Sequence, residues 1–109
     1  MKYYNTPVDY DGHHFDSKAE RDRYIELKLM ENMGVISGLE LQKTFVLIPS
    51  GKYPSGKRFS SASYIADFVY WIDGEVVVED VKGYRTREFV LKKKLMWTVY
   101  KIEVQEVKA

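Results

Sequence analysis

The sequence predicts one α/β domain, in detail an α+β fold with a mixed sheet. Two β-branched, aromatic-rich runs, residues 64–72 and 75–82, meet at Asp73-Gly74, and a segment of good helix formers lies on each side of them. Asp-Gly between such runs is the strongest short-range hairpin signal. Before the hairpin, residues 1–15 read as extended or turn-like, with a turn at Asp11-Gly12 and the pair His13-His14 beside it. Ser17 to Met33 are helix formers, Gly34 supplies the stop, and Ala19, Leu27, Met30 and Met33 are spaced as an apolar stripe. Residues 39–48 open with apolar/polar alternation and predict a strand. Pro49 to Ser63 has no apolar period and reads as a loop carrying Lys52, Lys57 and Arg58. After the hairpin, Thr86 opens a second helix running to about Val99, and Lys101 to Val107 alternates as a last strand. The expected order is helix, three strands, helix, strand.

At 109 residues, 45% hydrophobic and 15% aromatic, the chain can bury a core without covalent staples, so one domain spanning 1–109 is expected. Cysteine is absent, which removes disulfides, thiolate nucleophiles and cysteine-bound zinc together. The N-terminus, Met-Lys-Tyr-Tyr-Asn-Thr-Pro, lacks an apolar leader region, and no apolar run approaches the length of a membrane span. The expectation is a soluble, cytoplasmic protein with no membrane partner. Net charge is only +1, but its distribution is uneven. Residues 82–101 hold seven Lys or Arg and one Glu, whereas residues 1–40 hold five Lys or Arg against eight Asp or Glu. Such polarity fits one phosphate-binding side.

A two-residue turn at Asp73-Gly74 opposes Ile72 to Glu75, and the same register opposes Asp67 to Asp80. Facing residues have Cβ atoms roughly 4.5–5.5 Å apart, where like charges destabilise the sheet. A divalent cation would offset that repulsion, because Mg²⁺ takes one or two carboxylates together with water and phosphate oxygens. Strand alternation puts Lys82 on the face of Asp80, where its ammonium could meet an attacking water or a phosphoryl oxygen. A plain surface ion pair is the competing explanation. Against it, Val69, Trp71, Val76 and Val78 fall on that same face, and unpaired charge on an apolar surface marks a functional candidate.

This element order, with Asp67 on the second strand and Asp80-Val81-Lys82 on the third, resembles the PD-(D/E)XK nuclease superfamily over most of the chain. The chain is also similar to small phage-encoded endonucleases or Holliday junction resolvases, which share stretches like Phe15-Asp16-Ser17-Lys18-Ala19-Glu20 and Glu79-Asp80-Val81-Lys82-Gly83. Two departures are mild: Ala66 replaces the nominal proline, and aspartate stands at 80 where glutamate is commoner. The resemblance implies a restriction-endonuclease-like core and a Mg²⁺-dependent endodeoxyribonuclease, with Mn²⁺ as a substitute. It maps the acidic pair to Asp67 and Asp80, the lysine to Lys82, and a first-helix glutamate to Glu20, with the Val81 carbonyl as a further metal ligand. Branched DNA as substrate, 5′-phosphate products, a homodimer, a role in DNA recombination and a phage protein working in a bacterial cytoplasm are implied with it. Two alternatives stay open: a non-catalytic nucleic-acid-binding or phage-assembly module on the same fold, and a nicking or restriction-like endonuclease acting on linear duplex.

Other residues compete for roles. Ser17-Lys18-Ala19-Glu20 also fits a capping box, which would occupy Glu20 in the helix start. Glu79 alternates away from Asp80 and is expected to be structural, while Gln42 could aim an amide into the site. His13 and His14 point to opposite sides and lack a third ligand at a zinc spacing. Arg85 and Arg87 flank the second helix's N-terminus, where amides and dipole favour phosphate, and with Arg58, Lys92 and Lys93 they are the expected DNA contacts. Trp71 and Trp97 are expected to be buried.

Overall fold

The structure, a computed structural model, describes residues 6–109. Residues 1–5, the start of the segment read as extended or turn-like, lie outside the described residues. The order is β1 (Val8–Tyr10), β2 (His13–Phe15), α1 (Lys18–Asn32), β3 (Ser37–Ile48), β4 (Gly51–Lys52), β5 (Arg58–Phe59), β6 (Ala62–Ile72), β7 (Glu75–Lys82), α2 (Arg87–Tyr100) and β8 (Gln105–Lys108). The fold is mixed α+β. A four-stranded sheet runs β3-β6-β7-β8, antiparallel except for the parallel β7-β8 pair. Parallel neighbours need a crossover, and α2 supplies it. Neither helix is long and apolar enough to cross a membrane.

The central hairpin forms in the expected register: Ile72 faces Glu75, and pairing continues without a slip to Phe68 and Glu79. Asp73 and Gly74 both have positive φ, 50° and 79°, as a two-residue primed turn requires. Asp11 and Gly12 repeat the pattern between β1 and β2, at 52° and 77°. Helix α1 starts where the Ser17 hydroxyl accepts the Glu20 amide at 3.1 Å and ends at Gly34, with φ of 77°. Thr86 caps α2 in the same way through the Phe89 amide at 3.0 Å.

The two faces of the sheet carry separate cores. On one, Val69 and Val78 pack with Phe89 and Met96 of α2; on the other, Phe68 and Tyr70 pack with Tyr24 and Leu27 of α1. Each fully buried side chain of this size contributes roughly 1.5–3 kcal/mol. Strand β3 serves both cores. Leu39 and Leu41 join the α1 side, Phe45 and Leu47 the α2 side, although all four have the same parity. Between them Gln42 stands at φ 53°, a left-handed residue inside a strand, and there the β3-β6 ladder skips the Gln42/Asp67 pair.

Several expectations need correction. The buried face of α1 is Glu20, Tyr24 and Leu27, one carboxylate included, while Met33 is 69% exposed beyond the last turn. The Pro49 to Ser63 segment contains the β4-β5 ribbon. The last strand begins only at Gln105, because Lys101 adopts a left-handed cap (φ 59°) that ends α2 and turns the chain. Trp71 and Trp97 are exposed; α2 buries Phe89 and Met96 and leaves Trp97 outside its buried face.

Glu79 shows what holds α1 to the sheet. Its buried carboxylate accepts Arg23 Nε at 2.8 Å and Nη2 at 2.7 Å, together with the Tyr70 hydroxyl. A bidentate guanidinium and a phenol leave little of this charge unsatisfied. Arg23→Met keeps the alkyl packing but strands the carboxylate, so we expect a loss of about 3 kcal/mol in urea denaturation. A loss below about 1 kcal/mol would contradict a clamp at this position.

Candidate metal and catalytic site

The site is assembled at the end of the β6-β7 pairing, where the ladder stops and side chains take over the backbone's partners. Beyond the Phe68/Glu79 pair, Asp67 Oδ2 accepts the Val81 amide at 2.9 Å. Asp67 Oδ1 accepts from Gln42 Nε2 at 3.3 Å, and the same amide nitrogen donates to Glu20 Oε1 at 3.2 Å. Gln42 therefore bridges β6 to α1, from a left-handed conformation that costs an ordinary residue on the order of 1 kcal/mol or more.

Asp80 is 4% exposed, and its Oδ2 accepts Lys82 Nζ at 2.9 Å. The ammonium also sits 4.3 Å above the Phe89 ring, which positions it from the α2 side. Tyr64 Oη is buried here without a hydrogen bond among the described residues. Burial first, then the charges of Asp80 and Asp67, push the Tyr64 phenol well above its ordinary range.

Two carboxylates thus share one ammonium. Lys82 pairs with Asp80, and Asp67 is held by neutral amides. Burial raises the Asp67 pKa, and the adjoining Asp80 and Glu20 raise it further, from 3.8 to about 8; the Val81 amide opposes this. Near neutrality this shift favours the protonated form of Asp67. A group poised in this way is what a hard cation displaces: the donors are oxygens, crowded, and short of positive charge. The Asp67 and Asp80 carboxylates are donors of the kind such an ion takes. Glu20 lies beside them with the Gln42 amide interposed. Among the described residues no three acidic or histidine side chains already form a ready cage. Water and phosphate oxygens would complete the shell, as is usual for Mg²⁺.

The structure brings Asp67, Asp80, Lys82 and Glu20 into one neighbourhood and adds Gln42 and Tyr64. The Gln42 amide reaches the site as its strand position allowed, but nothing in its residue type announces a left-handed strand position. Tyr64 carried no sequence signal at all. Glu79 is turned away, onto Arg23. His14 Nδ1 meets Asp9 at 2.7 Å, and His13 packs on the Tyr24 ring at 5.2 Å; both line a cavity of about 480 Å³ beside Glu20 and Gln42.

The expected phosphate contacts divide into two groups. Arg85 and Lys93 both pair with Glu106, at 2.9 and 2.7 Å, and Lys92 pairs with Glu88 at 3.1 Å. Arg87 and Arg58 have no ion-pair partner among the described residues.

The model of the family described as "Protein of unknown function (DUF1064)" matches residues 1–108, and the chain belongs to that family. No curated protein matches the chain.

The raised Asp67 pKa has a consequence for stability. Between the ordinary carboxylate value and about 8, the folded metal-free protein holds a proton that the unfolded chain has released, so raising the pH destabilises the fold. Glu31 and Glu106, both lowered by partners, act oppositely but only in the acid range. We expect the melting temperature in EDTA to fall from about pH 5 to about pH 8, and Asp67→Asn to flatten that fall. An equal slope in the variant would place the titration elsewhere.

Proposed function

We propose that this member of the DUF1064 family is a metal-dependent DNA endonuclease with Asp67, Asp80 and Lys82 at its centre. The observation that carries this reading is the Asp67-Asp80 pair, largely removed from water and served by a single ammonium. The resemblance to PD-(D/E)XK nucleases supports it, as does a four-stranded mixed sheet with a helix core on each face.

Asp67, Asp80, the Val81 carbonyl and Glu20 are the oxygens that would hold Mg²⁺, or Mn²⁺ in its place. A bound Mg²⁺ would supply positive charge to the phosphate oxygens and lower the pKa of a water. Lys82 then has two tasks open to its Nζ: orienting the attacking water, and stabilising charge that develops on the phosphoryl oxygens. The Phe89 ring beneath it and the Asp80 carboxylate beside it hold the ammonium in place. Gln42 fixes the Asp67 carboxylate toward the site. Arg87, at the N-terminus of α2, is the first candidate for a flanking phosphate.

The substrate proposed is branched DNA, cut by a homodimer, because paired incisions across a junction need two sites related by a two-fold axis. Cleavage would leave 5′-phosphate and 3′-hydroxyl ends. The work is placed in the cytoplasm, on recombination intermediates.

Labelled four-way junction, flap, linear duplex and single-stranded DNA, each with Mg²⁺, Mn²⁺ or EDTA, test this reading. We expect metal-dependent, symmetric junction cuts, reduced about a hundredfold or more by Asp80→Asn and by Lys82→Ala. Cutting without branch preference keeps the nuclease and removes the resolvase. Binding without scission under either metal favours the non-catalytic module.

A further inference from the structure

The β4-β5 ribbon is unlike the rest of the molecule. It joins β3 to β6 at an edge of the main sheet, forms a two-stranded sheet of its own, and its only substantial element contact is between its two strands. Residues 52–58 are all exposed. From Pro49 to Ser63 there are three cations, Lys52, Lys57 and Arg58, and no acidic residue. None of the three has an ion-pair partner among the described residues, in contrast to Lys92, Lys93 and Arg85.

The ribbon is nevertheless built to hold a shape. The Tyr53 amide donates to the Lys57 carbonyl at 2.8 Å, and the Gly56 amide to the Tyr53 carbonyl at 2.9 Å. The Phe59 ring lies against Tyr53 with centroids 4.9 Å apart and covers Gly51 so closely that a Cβ there would fall 2.5 Å from its Cζ. A glycine that admits a ring, a tight turn and two aromatic rings in tilted contact, 56° between their planes, give rigidity to an element with little contact to the rest of the fold. Such an arm gains little for the stability of the fold. Like charges held on a stiff, acid-free projection repel one another, and a polyanion relieves that repulsion.

We infer that the β4-β5 ribbon is a clamp for the backbone of double-stranded nucleic acid, with Lys52, Lys57 and Arg58 on phosphates. The choice of duplex rests on the nuclease reading; the binding role does not depend on catalysis. Asp67 lies five residues along β6 from Ala62, at the base of the arm. At about 3.3 Å per residue the arm's base stands roughly 16 Å from the site, about five base pairs along a duplex rising 3.4 Å per step. The arm would therefore grip the flank of a substrate and leave the scissile step to Asp67, Asp80 and Lys82.

The test compares the wild-type chain with the triple variant Lys52→Ala, Lys57→Ala, Arg58→Ala, using a labelled linear duplex in EDTA over about 50 to 200 mM salt. The substituted side chains are exposed, and circular dichroism with thermal melting confirms that the variant folds. Loss of three phosphate contacts should weaken binding at least about tenfold at the low-salt end and reduce the slope of log K against log salt by roughly 2 to 3. Unchanged affinity and slope overturn the inference, as does a wild type that binds no duplex. Light scattering on the same samples separates a second possibility: a dimer in the wild type that becomes monomeric in the variant makes the arm a contact between copies and overturns the clamp. Cleavage in Mg²⁺ separates the two readings. Wild type that cuts beside a variant that binds normally removes the clamp and keeps the nuclease. A salt slope that falls as expected, without scission by either protein, keeps the clamp and removes the nuclease.

Discussion

Two carboxylates and one ammonium in a space with little water are the constraint around which this structure is arranged. The hairpin register set by Asp73-Gly74 runs without a slip to Phe68 and Glu79, and so brings Asp67 and Asp80 into one neighbourhood just past the end of the ladder. The Val81 amide and the Gln42 amide then hold Asp67 where it is, and Lys82 holds Asp80. Burial first, and then the neighbouring Asp80 and Glu20, push the Asp67 pKa up to about 8. Elements far from the turn serve the same arrangement: α1 supplies Glu20, and α2 supplies the Phe89 ring under Lys82.

Glu79 and Asp80 are neighbours in β7, equally buried, and their surroundings differ in a way that separates structure from chemistry. Glu79 faces α1, with a bidentate guanidinium and a phenol on its oxygens, and has nothing left to offer a ligand. Asp80 faces α2 with one ammonium, a second carboxylate and a buried Tyr64 hydroxyl that finds no partner among the described residues. Removing a partner from a fully paired buried charge is strongly destabilising, whereas a buried charge that is short of partners is costly as it stands and marks a functional-site candidate. The same strand makes both, one per face, because alternation sends successive side chains to opposite sides.

Much of this was legible in the chain. The turn chemistry of Asp73-Gly74 and the β-branched runs around it set the hairpin register as far as Phe68 and Glu79, and counting on from there brings Asp67 and Asp80 close although the ladder itself stops before them. Ser17, Gly34 and Thr86 marked helix ends through local hydrogen bonds that depend on few residues. What was not legible depended on tertiary geometry. A left-handed Gln42 inside a strand is a backbone state that residue type does not disclose, and with it went the switch of β3 from one core to the other. The ribbon within Pro49 to Ser63 is too short for periodicity to register, since two paired residues per strand form no pattern. Trp71 and Trp97 read as core by composition, yet the sheet and helices leave both in solvent.

The central claim, that the Asp67-Asp80 pair takes up a divalent cation in exchange for its proton, is tested most directly by calorimetric titration of Mn²⁺ into the protein. The titration is run near pH 7 in two buffers of different ionisation enthalpy. The account predicts saturable binding with release of close to one proton per ion, both lost in Asp67→Asn. Binding that releases no proton, or that survives the substitution unchanged, would place the ion elsewhere and contradict the account.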